Sequence, residues 1–269
     1  MHALRDRTLF FLHIPKTAGI SLRELLSTRF SPTETLTFER SDSRDLHSEK
    51  LASVDRYRFV HGHMPYALVD RFERHPFVAT ILRDPLERAV SAFHHMQRQV
   101  PAMAQAFKAG DVSAARARDY AAAGRMSIGE LIRREPLAAS RHLGNLQAWL
   151  LATPNVSERF EYRDEYRVSV FDSDLERAKE HLAACDFVGL TERMNESVYL
   201  LADSLQGDPF CEVGMANRGP ARPAVASLDP ATIEALVDLT AQDRELYAFA
   251  CRLFEERRRA MSLGRARCD

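Results

Sequence analysis

The stretch that most constrains the fold is Thr8–Leu26, TLFFLHIPKTAGISLRELL. Its first seven residues are an apolar run without helical spacing, closed by Pro15, which predicts a strand buried on both faces. Pro15 and Gly19 then break the chain, and apolar residues at 20, 22, 25 and 26 resume with helical spacing. A strand, a tight loop and a helix in this order turn the free amides and positive dipole end of the helix back over the loop. Such a junction is a ready anion cradle. Lys16 adds a full positive charge, and Thr17 and Ser21 add hydroxyl donors. Read alone, the stretch fits a plain strand–helix junction with a surface lysine as well.

The same device occurs again downstream. Tyr57–His61 predicts a second strand, ending in His61-Gly62-His63, and Pro65–Arg74 a short helix. Pro76–Leu82 predicts a further buried strand, followed at once by Arg83-Asp84-Pro85. Aspartate at the cap position with proline just inside is a helix start. The helix from Pro85 carries Leu86, Ala89, Val90, Phe93 and Met96 on one face. Two strand–loop–helix units predict an α/β fold, a central mostly parallel sheet flanked by helices.

The polar stretch Ser31–Ser53 offers one short strand, Thr35–Phe38. Residues 100–135, rich in alanine and arginine, predict a helical insertion away from the sheet. Ala138–Leu151 predicts one helix, with Trp149 on its core side, Arg167–Phe171 a strand, and Asp174–Ala184 a helix with Leu175, Ala178 and Leu182 inward. Asp186–Leu190 predicts a short strand, and Thr191 a cap for the helix running to Leu205. After a loop rich in glycine, proline and arginine, Gly214–Val225, the chain predicts one long amphipathic helix from Pro230 to Arg258. Its buried stripe is Ile233, Leu236, Val237, Leu246, Phe249 and Leu253, and the basic tail beyond reads as a solvated end.

Size and charge bound the function. A chain of 269 residues, 45% hydrophobic, can bury one large core, and we read 1–269 as a single domain. With a net charge of −1 no bulk field recruits nucleic acid, so any anion site is local. The four cysteines, Cys185, Cys211, Cys251 and Cys268, show no CxxC pair and no metal-ligand spacing, which fits free thiols in a reduced, cytoplasmic setting. No run of about 18 apolar residues is present to span a membrane, and the polar lead MHALRDR is not a signal-peptide pattern.

Three pieces converge on the carboxyl ends of the parallel strands, where α/β sheets bind ligands. They are the loop from Lys16 to Ser21, then Arg83 with Ser91 two turns into its helix, and the pair His61 and His63. If strand geometry persists through Gly62, both imidazoles lie on one face. His13 reads as structural, and His94-His95 as a solvated or packed pair.

These residues resemble the sulfotransferases that use 3′-phosphoadenosine 5′-phosphosulfate (PAPS). HIPKTAGISL, residues 13–22, resembles their 5′-phosphosulfate loop, and LRDPLERAVSAF, residues 82–93, their 3′-phosphate motif. FVGLTERMNES and the stretch from NRGP to DRELYAF resemble the C-terminal half of the family, and HGHMPYAL is similar to the histidine segment of heparan sulfate and uronyl 2-O-sulfotransferases. The resemblance implies a P-loop-like sulfotransferase fold and transfer of a sulfuryl group from PAPS to an acceptor hydroxyl on a carbohydrate or small molecule. The product nucleotide is 3′-phosphoadenosine 5′-phosphate (PAP), and no metal is implied. It assigns Pro15, Lys16, Thr17, Ala18, Gly19, Ile20, Ser21 and Leu22 to the phosphosulfate, and Arg83 and Ser91 to the 3′-phosphate. Arg218 would close a late loop over the nucleotide. His63 becomes the base with His61 beside it, and Lys16 follows the charge on the leaving oxygen. One departure stands out: the family loop usually has threonine where this chain has Ile20.

The residue types suit that chemistry. A nucleotide with anions at both ends needs two separated cradles. Sulfuryl transfer, like phosphoryl transfer, is mostly positioning and charge stabilisation, and a neutral imidazole suits proton removal from a hydroxyl. Two alternatives stand beside it. A P-loop kinase would carry GxxxxGK[ST], whereas here the lysine precedes the loop glycine, and no aspartate stands out to hold Mg²⁺. A non-catalytic PAP-binding protein could use the same fold, against which the paired histidines argue.

Overall fold

A computed structural model of the chain describes residues 4, 7–38, 44–154, 172–205 and 224–265. The expected strand at 167–171, most of the loop at 214–225 and Arg218 lie outside the described residues. Five strands form one all-parallel sheet: β1 Leu9–Leu12, β2 Thr35–Phe38, β3 Phe59–Gly62, β4 Phe77–Leu82 and β5 Phe187–Leu190, in the spatial order β2-β3-β1-β4-β5. β1 lies centrally, Phe11 opposite His61 on one side and Ala79 on the other. The chain turns back across the sheet at β1, and that is where ligands of parallel sheets sit.

Burial explains which runs became strands. β1, β3, β4 and β5 are buried along their whole length, so their sequences are mostly apolar, with His61 of β3 and Thr80 of β4 as buried polar exceptions. The edge strand β2 alternates, with Leu36 and Phe38 inward and Thr35 and Thr37 half-buried. Eleven helices occur among the described residues. They are α1 Gly19–Ser27, α2 Arg44–Leu51, α3 Pro85–Ala109, α4 Ala114–Ala123, α5 Ile128–Arg134, α6 Pro136–Leu143, α7 Leu146–Ala152, α8 Asp172–Ala184, α9 Met194–Ser204, α10 Pro230–Leu239 and α11 Ala241–Arg265. The main core packs around the sheet and takes in Trp149 of α7 and Phe254 of α11. A second cluster joins the inner face of α3 to α4, α5, α6 and Leu236 of α10. The segment 100–135 therefore consists of the end of α3, which continues past Pro101, with α4 and α5.

Three expected elements differ. The single helix at 138–151 is two helices, α6 and α7, parted at Gly144. Arg88, fully buried on α3, donates to the carbonyls of Leu143 at 2.6 Å and Gly144 at 2.7 Å, taking the end of α6. Asp243, also fully buried, accepts from the amides of Gln147 at 3.2 Å and Ala148 at 2.7 Å, capping α7. The two ends are thus held by a buried ion pair, Arg88 Nε to Asp243 at 3.7 Å. The final helix is likewise two, broken at Thr240, because Asp243 in the first turn of α11 turns inward to α7 and its own amide donates to the Asn145 side chain. Along these two helices Leu236 and Leu246 are buried, whereas Ile233, Val237, Phe249 and Leu253 are half-buried. Thr191 does not cap α9. It sits in a 3-10 turn, Thr191–Arg193, and its hydroxyl reaches back to the carbonyls of Thr17 and Leu82, leaving α9 without a side-chain cap.

Candidate active site

The carboxyl end of β1 passes through His13, Ile14 and Pro15 into a loop that opens α1. Lys16 and Ala18 adopt left-handed backbone with φ of 72° and 59°, although neither is glycine. Alternation of this kind curls a loop so that successive amides line a concavity, an anion nest. Ala18 caps α1 without a side-chain hydrogen bond, and no acidic residue stands in the first turn. The amide end of α1 therefore keeps its positive field for a ligand, and the loop fits a phosphate-type anion.

The side chains of the loop divide between inside and outside. Thr17 is fully buried and its hydroxyl donates to the Ile14 carbonyl at 2.9 Å, so the hydroxyl closes the loop and the amide of Thr17 is what it offers an anion. Ser21 is nearly buried and Leu22 wholly so, whereas Pro15 and Lys16 are half-buried and Ile20 is 37% exposed in the first turn of α1. Gly19 is required by a close approach: a Cβ there would lie 2.1 Å from Cδ2 of His13. The His13 ring is stacked on Phe11 with centroids 5.5 Å apart and stands 4.5 Å from the His63 ring, so it has little room to yield.

His63 follows β3 directly. Its Nδ1 lies 2.7 Å from the His13 carbonyl oxygen. A carbonyl oxygen only accepts, so Nδ1 carries the hydrogen and the neutral ring presents Nε2 as its basic nitrogen. His61 is different. It is buried in β3 between Phe59, at 4.9 Å between ring centroids, and Thr37, whose hydroxyl lies 3.0 Å from Nε2. Burial, and then the charge of Arg23, lower its pKa to about 4, so it is neutral at pH 7. Between them Gly62 has φ of 150°, and a Cβ there would meet the Phe38 carbonyl at 2.5 Å.

Arg83 leaves the end of β4 and turns toward the loop. Its Nη1 donates to the Lys16 carbonyl at 3.2 Å, Nη2 donates to Glu87 at 3.3 Å, and Nε is 3.9 Å from Glu192. Asp84 caps α3 by accepting from the Glu87 amide at 3.0 Å. Ser91 lies half-buried farther along α3. The structure thus brings Lys16, Arg83 and the α1 terminus together at one end of the sheet, with His13 and His63 beside them. His94 meets the side chain of Gln97, one turn along α3, at 3.0 Å.

Sequence reasoning missed three residues here. Gln147, fully buried, accepts from the Arg83 amide and donates to the Arg83 carbonyl, both at 3.0 Å, gripping that peptide as a neighbouring strand would. Glu192 accepts from the Asp84 amide at 3.2 Å and from the Tyr247 hydroxyl at 2.7 Å. Burial, and then Glu192 itself, hold that phenol well above its usual range, so it stays a donor. Thr191 ties the loop to β4. Thr191 and Glu192 are the first two residues after β5, at the sheet's binding end, a positional signal that could have found them; nothing local marks Gln147. Among the described residues no cluster of His, Cys, Asp or Glu could hold a metal ion, and no helix is long and apolar enough to cross a membrane.

A family model described as Sulfotransferase family matches residues 3–250, a span that takes in the loop, both histidines, Arg83 and the start of α11. No curated protein matches the chain.

Proposed function

This chain belongs to the sulfotransferase family and is a PAPS-dependent transferase; from that premise we propose that it moves the sulfuryl group to a carbohydrate hydroxyl with His63 as general base. The observation that carries the reading is the 2.7 Å contact between His63 Nδ1 and the His13 carbonyl. It fixes the tautomer in which Nε2 accepts a proton, the state a base needs before the reaction begins.

PAPS supplies an electrophilic sulfuryl group and leaves as PAP. The amides at the start of α1 hold the anion at the 5′ end, and Lys16 places a charge beside the oxygen on which negative charge grows. Arg83 and Ser91 hold the 3′-phosphate, the first through a charge-assisted hydrogen bond. Gln147 fixes the Arg83 backbone, while Glu87 and Glu192 steer its guanidinium. Nε2 of His63 takes the proton of the acceptor hydroxyl.

The carbohydrate acceptor rests on the likeness of residues 61–68 to the 2-O-sulfotransferases. A net charge of −1 favours a small or weakly charged acceptor over a long polyanion. The helical segment 100–135 borders the acceptor side in this reading, and the protein works in the cytoplasm.

The test is transfer of label from radioactive PAPS to a panel of mono- and oligosaccharides, without added metal. Labelled sugar with the natural chain, lost in His63→Ala, is expected. Transfer to a phenol or lipid instead of any sugar would contradict the acceptor class, and full turnover by His63→Ala would remove the base.

A further inference from the structure

Three consecutive carbonyls of the loop before α1 are anchored. That of Lys16 accepts from Arg83 at 3.2 Å, that of Thr17 from the Thr191 hydroxyl at 2.7 Å, and that of Ala18 from the Ser21 amide at 3.1 Å. In a trans peptide the C=O and the following N–H point to opposite sides. Each anchored carbonyl therefore aims the next amide, of Thr17, Ala18 and Gly19 in turn, away from its anchor. The left-handed backbone at Lys16 and Ala18 persists only because its surroundings dictate it. The anchors are those surroundings.

Thr191 is the anchor that reaches farthest. Its Oγ1 also lies 3.0 Å from the carbonyl of Leu82, the last residue of β4 and the one before Arg83. A hydroxyl has one hydrogen, here shared between two carbonyls 65 residues apart, as in a three-centre bond. Thr191 itself follows β5 without a gap. One side chain thus joins the loop after β1 to the ends of β4 and β5.

We infer that Thr191 is a positioning residue for the nucleotide: its hydroxyl orients the Thr17–Ala18 peptide and sets the spacing between the phosphosulfate loop and Arg83. It touches no reacting atom. Its effect falls on ligands that engage both cradles at once more than on those that engage one. The inference rests on the proposed assignment of the loop and Arg83 to opposite ends of the nucleotide.

Calorimetry on the full chain tests it with two ligands, PAP with both phosphates and AMP with the 5′-phosphate alone. Thr191→Val keeps the shape and removes the hydrogen; Thr191→Ala removes it as well and serves if the valine variant does not fold. The preference for PAP over AMP is expected to shrink about tenfold in either variant, and to return in Thr191→Ser. A general loss of folded protein would weaken both ligands by one factor and leave the preference intact, and that result overturns the inference, as does failure of the serine to restore it. Lys16→Ala and Arg83→Ala measured alongside separate the two levels. If neither weakens PAP, the two-cradle assignment falls and the inference with it; if both do and the preference is unmoved by Thr191→Val, the inference alone falls.

Discussion

The guanidinium of Arg83 and the backbone of Lys16, 67 residues apart in sequence, meet across a 3.2 Å hydrogen bond from Nη1 to the Lys16 carbonyl. The bond places a peptide dipole, negative end toward Arg83, between two cationic residues of one site. It holds the loop and the end of β4 side by side, the arrangement that the proposed binding of a nucleotide with anions at both ends requires.

Ile20 stands where the family loop usually has threonine, and it is 37% exposed in the first turn of α1. Little packing is lost by replacing it. A hydroxyl there gains a hydrogen bond to a charged group, worth roughly 1.5–3 kcal/mol. Ile20→Thr is expected to bind PAP about tenfold more tightly by calorimetry, with little change in melting temperature; equal or weaker binding counts against the loop as the 5′ cradle.

Lys16 and His63 serve different tasks in the proposed mechanism, so their variants should part company. His63→Ala is expected to lower transfer by about 10²–10⁴-fold while PAP affinity holds. Lys16→Ala is expected to lower both. Single-turnover rates with a matching PAP titration distinguish them.

His61 links the sheet to pH. Its folded pKa of about 4 lies below the value of 6.5 for an unperturbed histidine. Between these pH values the unfolded chain binds a proton that the folded chain does not, so stability rises with pH across the window and is lost as pH falls through it. The shift corresponds to about 3 kcal/mol. The stability difference between the natural chain and His61→Gln, taken by urea denaturation at pH 4.5 and 7, should change by most of that amount. Titrating groups common to both chains, Asp243 among them with the opposite sign, cancel in that difference.

Arg88 and Asp243, both fully buried, hold α6 and α7 at their junction. Removing one member strands the other, and Arg88→Met is expected to cost about 3–5 kcal/mol. Burial raises the Asp243 pKa to about 6 even with Arg88 opposing it. A raised carboxyl pKa favours the folded state at low pH, so the loss in Arg88→Met should be larger at pH 8 than at pH 5. Chemical denaturation at the two values decides this.

Most of the sheet was legible because β1, β4 and β5 are buried on both faces and so appear as largely apolar runs, while the edge strand β2 shows only as a four-residue alternation. The start of α3 was legible because Asp84 and Pro85 act locally. What escaped was decided at a distance. Residues 138–151 read as one helix, and it is Arg88, 55 residues from Leu143, and Asp243, 96 from Gln147, that divide it. Thr191 stood where a cap would stand, yet its hydroxyl serves the Thr17 carbonyl 174 residues away. Lys16, Arg83 and His63 could be proposed from sequence because their residue types and positions at strand ends suit the proposed chemistry, and the fold brings them to one end of the sheet. Gln147 could not, since a buried amide in an apolar helix carries no such mark.

The most direct measurement is a crystal structure of the protein with PAP bound. The 5′-phosphate is expected on the amides that open α1, beside Lys16, and the 3′-phosphate on Arg83 and Ser91. A nucleotide held at one end only, or bound away from the carboxyl ends of β1 and β4, would contradict it.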